Sequence, residues 1–313
     1  MTRRNVFHIF TGNANPKLAQ DVCSSLGIRL ANAEVNRFPD GEIDVKVHED
    51  VRGADCFIVQ PTCPPVNENL MELLLLVDCL RRASADRITA VIPYYGYARQ
   101  DRKAEGRVPI TAKLVANMLA AAHVDRALMM DLHATQIQGF FDIPVDHVFA
   151  APVLIEHIKK KELSNPVILS PDVGSIKQAR AYAKRLKASL AVVDKRRASP
   201  EETEAVHLIG DVKNKNVFIV DDMISTGTTI AEAVRISRDQ GAKDVYVCAT
   251  HAILCGQAIP RLEHAAPREC IFSDTIPLKD KKREFMTVLS VAGLLGEAIR
   301  RIHLSESISK LFV

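Results

Sequence analysis

Short apolar runs rich in Val and Ile alternate along the chain with longer stretches in which apolar residues recur every three or four positions. The short runs predict strands at 5–10, 56–59, 88–92 and 126–130, then at 167–169, 190–193, 217–220 and 245–249. Segment 42–47 alternates polar and apolar, as a half-exposed strand does. The longer stretches predict helices over 17–26, 67–83, 110–122, 176–186, 230–240 and 291–302, and 93–109 reads as a polar loop. Strand and helix in alternation argue for α/β architecture, with mostly parallel sheets flanked by helices. Two such series predict two domains, 1–148 and 149–313, divided after FFDIPVDH, the last helix being free to pack back on the first. That apolar segment suits either core or an interface.

A length of 313 residues fits two domains at about 150 residues each. Lys plus Arg number 41 and Asp plus Glu 38, so a net charge of +3 gives no general attraction to nucleic acid. No apolar run approaches the ~20 residues of a membrane span, and the basic start leads into a strand and turn rather than a signal peptide. The 7 cysteines are scattered without a CxxC pair. They read as buried apolar side chains in a reducing cytoplasm, not as a disulfide framework or zinc site.

Ligands of open parallel sheets collect beyond the carboxyl ends of strands, so the polar segments after buried runs are where chemistry is expected. In VFIVDDMISTGTT, 217–229, Asp221 and Asp222 follow four apolar residues, and Ser225, Thr226, Gly227, Thr228 and Thr229 turn into a helix. Small residues there let amide N–H groups converge on a phosphate. The paired carboxylates suit sugar hydroxyls or a divalent cation. IPYYGYARQDRK, 92–103, gathers Arg99, Arg102 and Lys103 with Gln100 and Asp101, a set able to hold phosphate oxygens and face a base. RFPDGE, 37–42, is a turn between strand patterns. His133 and Asp172 each follow a strand, and with nucleotide phosphates they make a plausible magnesium pair. In DKRRASPEETE, 194–204, an extended chain puts Lys195 and Arg197 on one side, able to close over a triphosphate from a mobile loop. Walker, dinucleotide and HExxH motifs are missing.

These segments carry a resemblance. The 217–229 stretch is similar to the ribose-5-phosphate motif shared by phosphoribosyltransferases and PRPP synthetases. NRFPDGE at 36–42, RGADCFIVQPTCPPVNENLMELL at 52–74, IPYYGYARQDRK, DLHATQIQGFFDIPVDH at 131–147, SPDVG at 170–174 and DKRR at 194–197 extend it to nearly the whole chain. Together they resemble the phosphate-regulated, bacterial-type ribose-phosphate diphosphokinases (PRPP synthetases).

The resemblance implies two phosphoribosyltransferase-like domains that pass a diphosphoryl group from ATP to ribose 5-phosphate, for nucleotide biosynthesis. It implies ATP contacts at Phe38, Asp40, Gly41 and Glu42 from a neighbouring subunit, and at Arg99, Gln100 and Asp101. It implies Mg2+ at His133 and Asp172, catalysis by Lys195 and Arg197, and ribose 5-phosphate at Arg197, Asp221, Asp222 and 225–229. The assembly it implies is a homohexamer built from dimers. Two alternatives share the motif: a phosphoribosyltransferase, which would consume PRPP, and a non-catalytic regulatory homologue.

Three positions depart from the bacterial pattern. Ser225 stands where Asp is usual, and Thr228 where Gly permits unusual backbone angles. Asp50 stands where many relatives have Ser in a regulatory site for phosphate or ADP. A carboxylate there would repel the anion and weaken phosphate activation.

Overall fold

The computed structural model describes residues 6–196 and 205–312. Contacts divide the chain into two units. The first comprises 1–150, 275–277 and 290–313, and the second 151–274 and 278–289. The contacts thus give 290–313 to the first unit rather than leaving one cut near 148.

In the first unit the order is β1 (Phe7–Thr11), α1 (Pro16–Ser25), β2 (Ala33–Arg37), β3 (Ile43–Val47), β4 (Asp55–Val59), α2 (Val66–Arg82), β5 (Arg87–Ile92), α3 (Thr111–Ala121), β6 (Arg126–Met130) and β7 (Val145–Val148). A parallel sheet runs β1-β4-β5-β6-β7. Every residue of β4 is buried, as a central strand covered on both faces must be. The β2–β3 pair is an antiparallel hairpin whose Val35, Val45 and Val47 pack on the core while Asp44 and Lys46 are exposed. Pro16 opens α1, and the Asn15 side chain caps it by accepting the Leu18 N–H at 3.3 Å. Phe141 is buried in this core, with Phe140, Ile143 and Val145 packed against it, so the FFDIPVDH segment serves as core.

The last helix, α8 (Ala292–His303), packs on α1 within this unit. A Cβ at Gly296 would lie 2.3 Å from the Ser25 hydroxyl, which would have to turn away to admit any larger residue. At its far end the His303 ring bonds Asp55 at 2.9 Å. Asp55 also accepts Arg87 Nε at 2.9 Å, and Arg87 reaches the Ile302 carbonyl at 3.2 Å. Hydrogen bonding to Asp55 raises the Arg87 pKa.

The second unit contains α4 (Ala151–Lys160), β8 (Pro166–Ser170), α5 (Ile176–Leu186), β9 (Ser189–Arg196), β10 (Ala205–Ile209), β11 (Asn216–Ile224), α6 (Thr228–Asp239), β12 (Asp244–Ala252), α7 (Ala258–Ala265), β13 (Glu269–Ser273) and β14 (Met286–Leu289). Its sheet runs β10-β9-β8-β11-β12-β13-β14, parallel except for the β9–β10 pair. The apolar runs of β8, β11 and β12 lie at the centre and are buried on both faces. Both units are therefore α/β, each a mostly parallel sheet flanked by helices.

Candidate active site

In the second unit, β11 is longer than its apolar run predicts. Parallel pairing with β12 continues past Val220, Asp221 opposite Ala249 and Met223 opposite His251. The acidic pair therefore lies inside the strand, because β12 is long enough to keep supplying backbone partners.

Asp221 is firmly oriented. Its Oδ1 accepts the Ser175 hydroxyl at 2.8 Å and the Asp222 N–H at 2.9 Å. Ser175 also donates its backbone N–H to Asp172 Oδ1 at 3.0 Å, and the Ser170 hydroxyl donates to the Asp172 carbonyl at 2.7 Å. The turn after β8 and the later half of β11 thus bring together Asp172, Asp221 and Asp222. Burial, then the Asp222 carboxylate, push Asp221 well above the ordinary carboxylate range, and Asp172 adds repulsion against the Ser175 hydroxyl bond. Among the described residues no Lys or Arg forms an ion pair with Asp172 or Asp221. No cage of three or more His, Cys, Asp or Glu ligands closes among them either.

After β11 the chain turns at 225–227 into α6. Gly227 takes φ 75°, and a Cβ there would lie 3.3 Å from both Cα and O of Ala258. Only glycine fits such a left-handed, crowded position without strain. Thr228 opens α6 without a positive φ, so its backbone does not use the unusual angles that glycine permits. The loop is tied from the β12–α7 side. The Cys255 N–H donates to the Ser225 carbonyl at 2.9 Å, and Arg261 Nη1 donates to the Thr226 carbonyl at 2.8 Å. With its carbonyls engaged, the turn leads directly into the orphan N–H groups of the α6 N-terminus, Thr228 and Thr229 in the first turn. The Ser225 hydroxyl lies 3.3 Å from Cys255 Sγ, and the Thr226 and Thr228 hydroxyls are 3.4 Å apart.

Lys195 belongs to β9, its backbone opposite Val206 of β10, so the strand outruns the predicted 190–193. Arg197 and the rest of 197–204 lie outside the described residues.

The first unit carries the other segments. Phe38 sits at the β2–β3 tip with 50% of its surface exposed. Its N–H donates to the Glu42 carbonyl at 2.8 Å, the Glu42 N–H to Asp40 Oδ1 at 3.1 Å, and Gly41 takes φ 95°. In the loop after β5, the Gln100 side chain accepts the Thr111 hydroxyl, and its carbonyl accepts the Ala112 N–H at 3.2 Å, anchoring the loop to α3. Gln136 Nε2 donates to Asp101 Oδ2 at 3.0 Å, which joins the Arg99–Asp101 loop to the turn after His133. His133 itself is exposed. Beside it, the Leu132 N–H donates to His147 Nε2 at 3.0 Å.

Sequence reasoning passed over Ser175, Arg261 and Gln136. Ser175 directly follows SPDVG, but nothing in a lone serine announces its partner; only the adjacency of β8 and β11 does.

Comparison with known proteins gives matches across the chain. Residues 7–122 match the N-terminal domain of ribose phosphate pyrophosphokinase, and 194–313 match the phosphoribosyl synthetase-associated domain. A ribose-phosphate pyrophosphokinase of Gloeobacter violaceus is 55% identical over 97% of this chain and 92% of its own length. That of Caldanaerobacter subterraneus is 53% identical over 98% of both. The crystal structure of phosphoribosylpyrophosphate synthetase from Mycobacterium smegmatis superposes with a TM-score of 0.90 at 42% identity, covering 96% of this chain and 99% of that one.

Proposed function

Because this chain belongs to the ribose-phosphate pyrophosphokinase family, we propose how its residues divide that family's reaction. The enzyme transfers the β,γ-diphosphoryl group of ATP to the 1-hydroxyl of ribose 5-phosphate, giving PRPP and AMP. The observation that carries the division of labour is the β11–α6 segment. There an oriented carboxylate pair is followed within three residues by a glycine-bent turn into a helix N-terminus.

The 225–229 turn and the first N–H groups of α6 hold the 5-phosphate, where hydrogen-bond donors and the helix dipole favour an anion. Asp221 and Asp222 accept from the 2- and 3-hydroxyls, which fixes the anomeric oxygen for attack on the β-phosphorus. Such orientation removes much of the entropic part of the barrier. Arg99, Gln100 and Asp101 receive ATP on a loop braced by α3 and Gln136. Phe38, Asp40, Gly41 and Glu42 meet the adenosine of an ATP bound to a neighbouring subunit of a homohexamer. An exposed aromatic ring on a hairpin tip is suited to stacking on a base. Lys195 and Arg197 stabilise the charge of the transferring group.

Mg2+ fits the donor set. Asp172 offers a carboxylate without a cationic partner among the described residues, and this hard ion needs few protein ligands beside water and phosphate oxygens. Asp172 and His133 would hold it, and when bound it would neutralise charge on the triphosphate. Among the described residues no helix is long and apolar enough to cross a membrane. With free cysteines, five of them buried, this supports a cytoplasmic enzyme.

Lys195→Ala tests the assignment. AMP release from ATP and ribose 5-phosphate should fall at least ~100-fold, as on losing a transition-state donor, with the thermal transition unchanged. Normal turnover would refute the role.

A further inference from the structure

Asp221 has two oxygens in different situations. Oδ1 accepts both the Ser175 hydroxyl at 2.8 Å and the Asp222 N–H at 2.9 Å. Neither of these donors is placed on Oδ2, and the Asp222 side chain also lies against this carboxyl. We propose that Ser175 is a positioning residue for ribose 5-phosphate: its hydroxyl pins Oδ1 of Asp221, so that Asp221 meets a sugar hydroxyl through Oδ2. The inference rests on the reading of Asp221 as a sugar ligand.

The physical case is one of degrees of freedom. A carboxylate on a strand can rotate about its Cβ–Cγ bond, and either oxygen could serve. The Asp222 N–H fixes one point on the group. The Ser175 hydroxyl, arriving from the β8–α5 turn, fixes a second direction, and two donors on one oxygen settle the plane. The same serine is itself held, because its N–H donates to Asp172 Oδ1 at 3.0 Å. That backbone bond needs no particular side chain at 175; the hydroxyl bond does. The hydroxyl also puts a donor beside Asp221, which otherwise faces the carboxylates of Asp222 and Asp172. Preorganisation of this kind acts on binding of the sugar phosphate, with no reason to act on ATP.

The test is steady-state kinetics on the full-length enzyme with Ser175→Ala, Ser175→Thr and Asp221→Asn, with calorimetric titration of ribose 5-phosphate. A hydrogen bond to a charged group sets the scale, so Ser175→Ala should raise both KM and Kd for ribose 5-phosphate about tenfold. The KM for ATP and the thermal transition should stay at the parent values. Ser175→Thr, which restores a hydroxyl, should recover most of the affinity. Asp221→Asn should weaken ribose 5-phosphate binding by more than Ser175→Ala does. If Asp221→Asn weakens binding and Ser175→Ala does not, the positioning role is overturned while the reading of Asp221 stands. If Asp221→Asn leaves binding untouched, both fall. A Ser175→Ala enzyme that loses ATP affinity equally, or a threonine that rescues nothing, also overturns the role.

Discussion

Replacing Asp221 by Asn should make the ligand-free protein more stable while disabling its sugar site. The amide oxygen can still accept the Ser175 hydroxyl and the Asp222 N–H, so no hydrogen bond on Oδ1 is lost. What disappears is a buried negative charge facing Asp222 and Asp172, the cause of the raised Asp221 pKa. Against this, the two retained bonds weaken when their acceptor becomes neutral. The net gain is on the order of 1 kcal/mol, within the range seen when a destabilised functional group is relieved. That corresponds to a rise in Tm of about 1–2 °C for a chain of 313 residues. The sign with pH follows from the direction of the shift. A carboxyl with a raised folded-state pKa imposes no penalty below its unfolded pKa, about 3.9. The penalty grows as pH rises and is complete above the folded-state pKa. Scanning calorimetry without Mg2+ or ribose 5-phosphate should therefore show the variant's advantage at neutral and alkaline pH, shrinking in acid. An unchanged or lower Tm at neutral pH, or an advantage that persists unchanged in acid, would refute the reasoning.

Three further outcomes are expected. Gly227→Ala forces a side chain into a left-handed angle against Ala258, and should cost about 1–2 kcal/mol by urea unfolding and raise the KM for ribose 5-phosphate; parent values for both would contradict this. Asp55→Ala removes the carboxylate shared by Arg87 and His303 at the end of α8, and should cost about 3 kcal/mol, read from the urea midpoint. Asp50 accepts the Arg52 N–H at 3.2 Å, which places its carboxylate beside that arginine. Activity against phosphate concentration should show weak activation in the parent and stronger activation in Asp50→Ser, whereas strong activation in the parent would contradict the repulsion argument.

The central strands were legible because their environment is uniform. A strand buried on both faces must be an apolar run, and 56–59, 88–92, 167–169 and 217–220 are such runs. The edges were not. Four-residue β14 and the antiparallel β10 lack a continuous apolar signature, and α7 carries Pro260 in its first turn, where a helix tolerates proline but the sequence shows a breaker. Strand ends were also underestimated, since Asp221 and Asp222 are polar by type and remain in β11 only because β12 continues beside them. The candidate segments were visible as polar stretches after buried strands. Their internal wiring was not. That Ser175 bonds Asp221, or that Gln136 holds Asp101, depends on which loops become neighbours in three dimensions.

The account depends most on the direction of the chemistry, and isotope tracing reads it directly. Ribose 5-phosphate labelled with 18O at the anomeric hydroxyl is incubated with ATP, Mg2+ and the enzyme, and the products are followed by 31P NMR. The account predicts PRPP and AMP in equal amounts, with the label bridging C1 and the transferred phosphorus and the AMP unlabelled. Release of ADP in place of AMP, or label in the AMP phosphate, would contradict it.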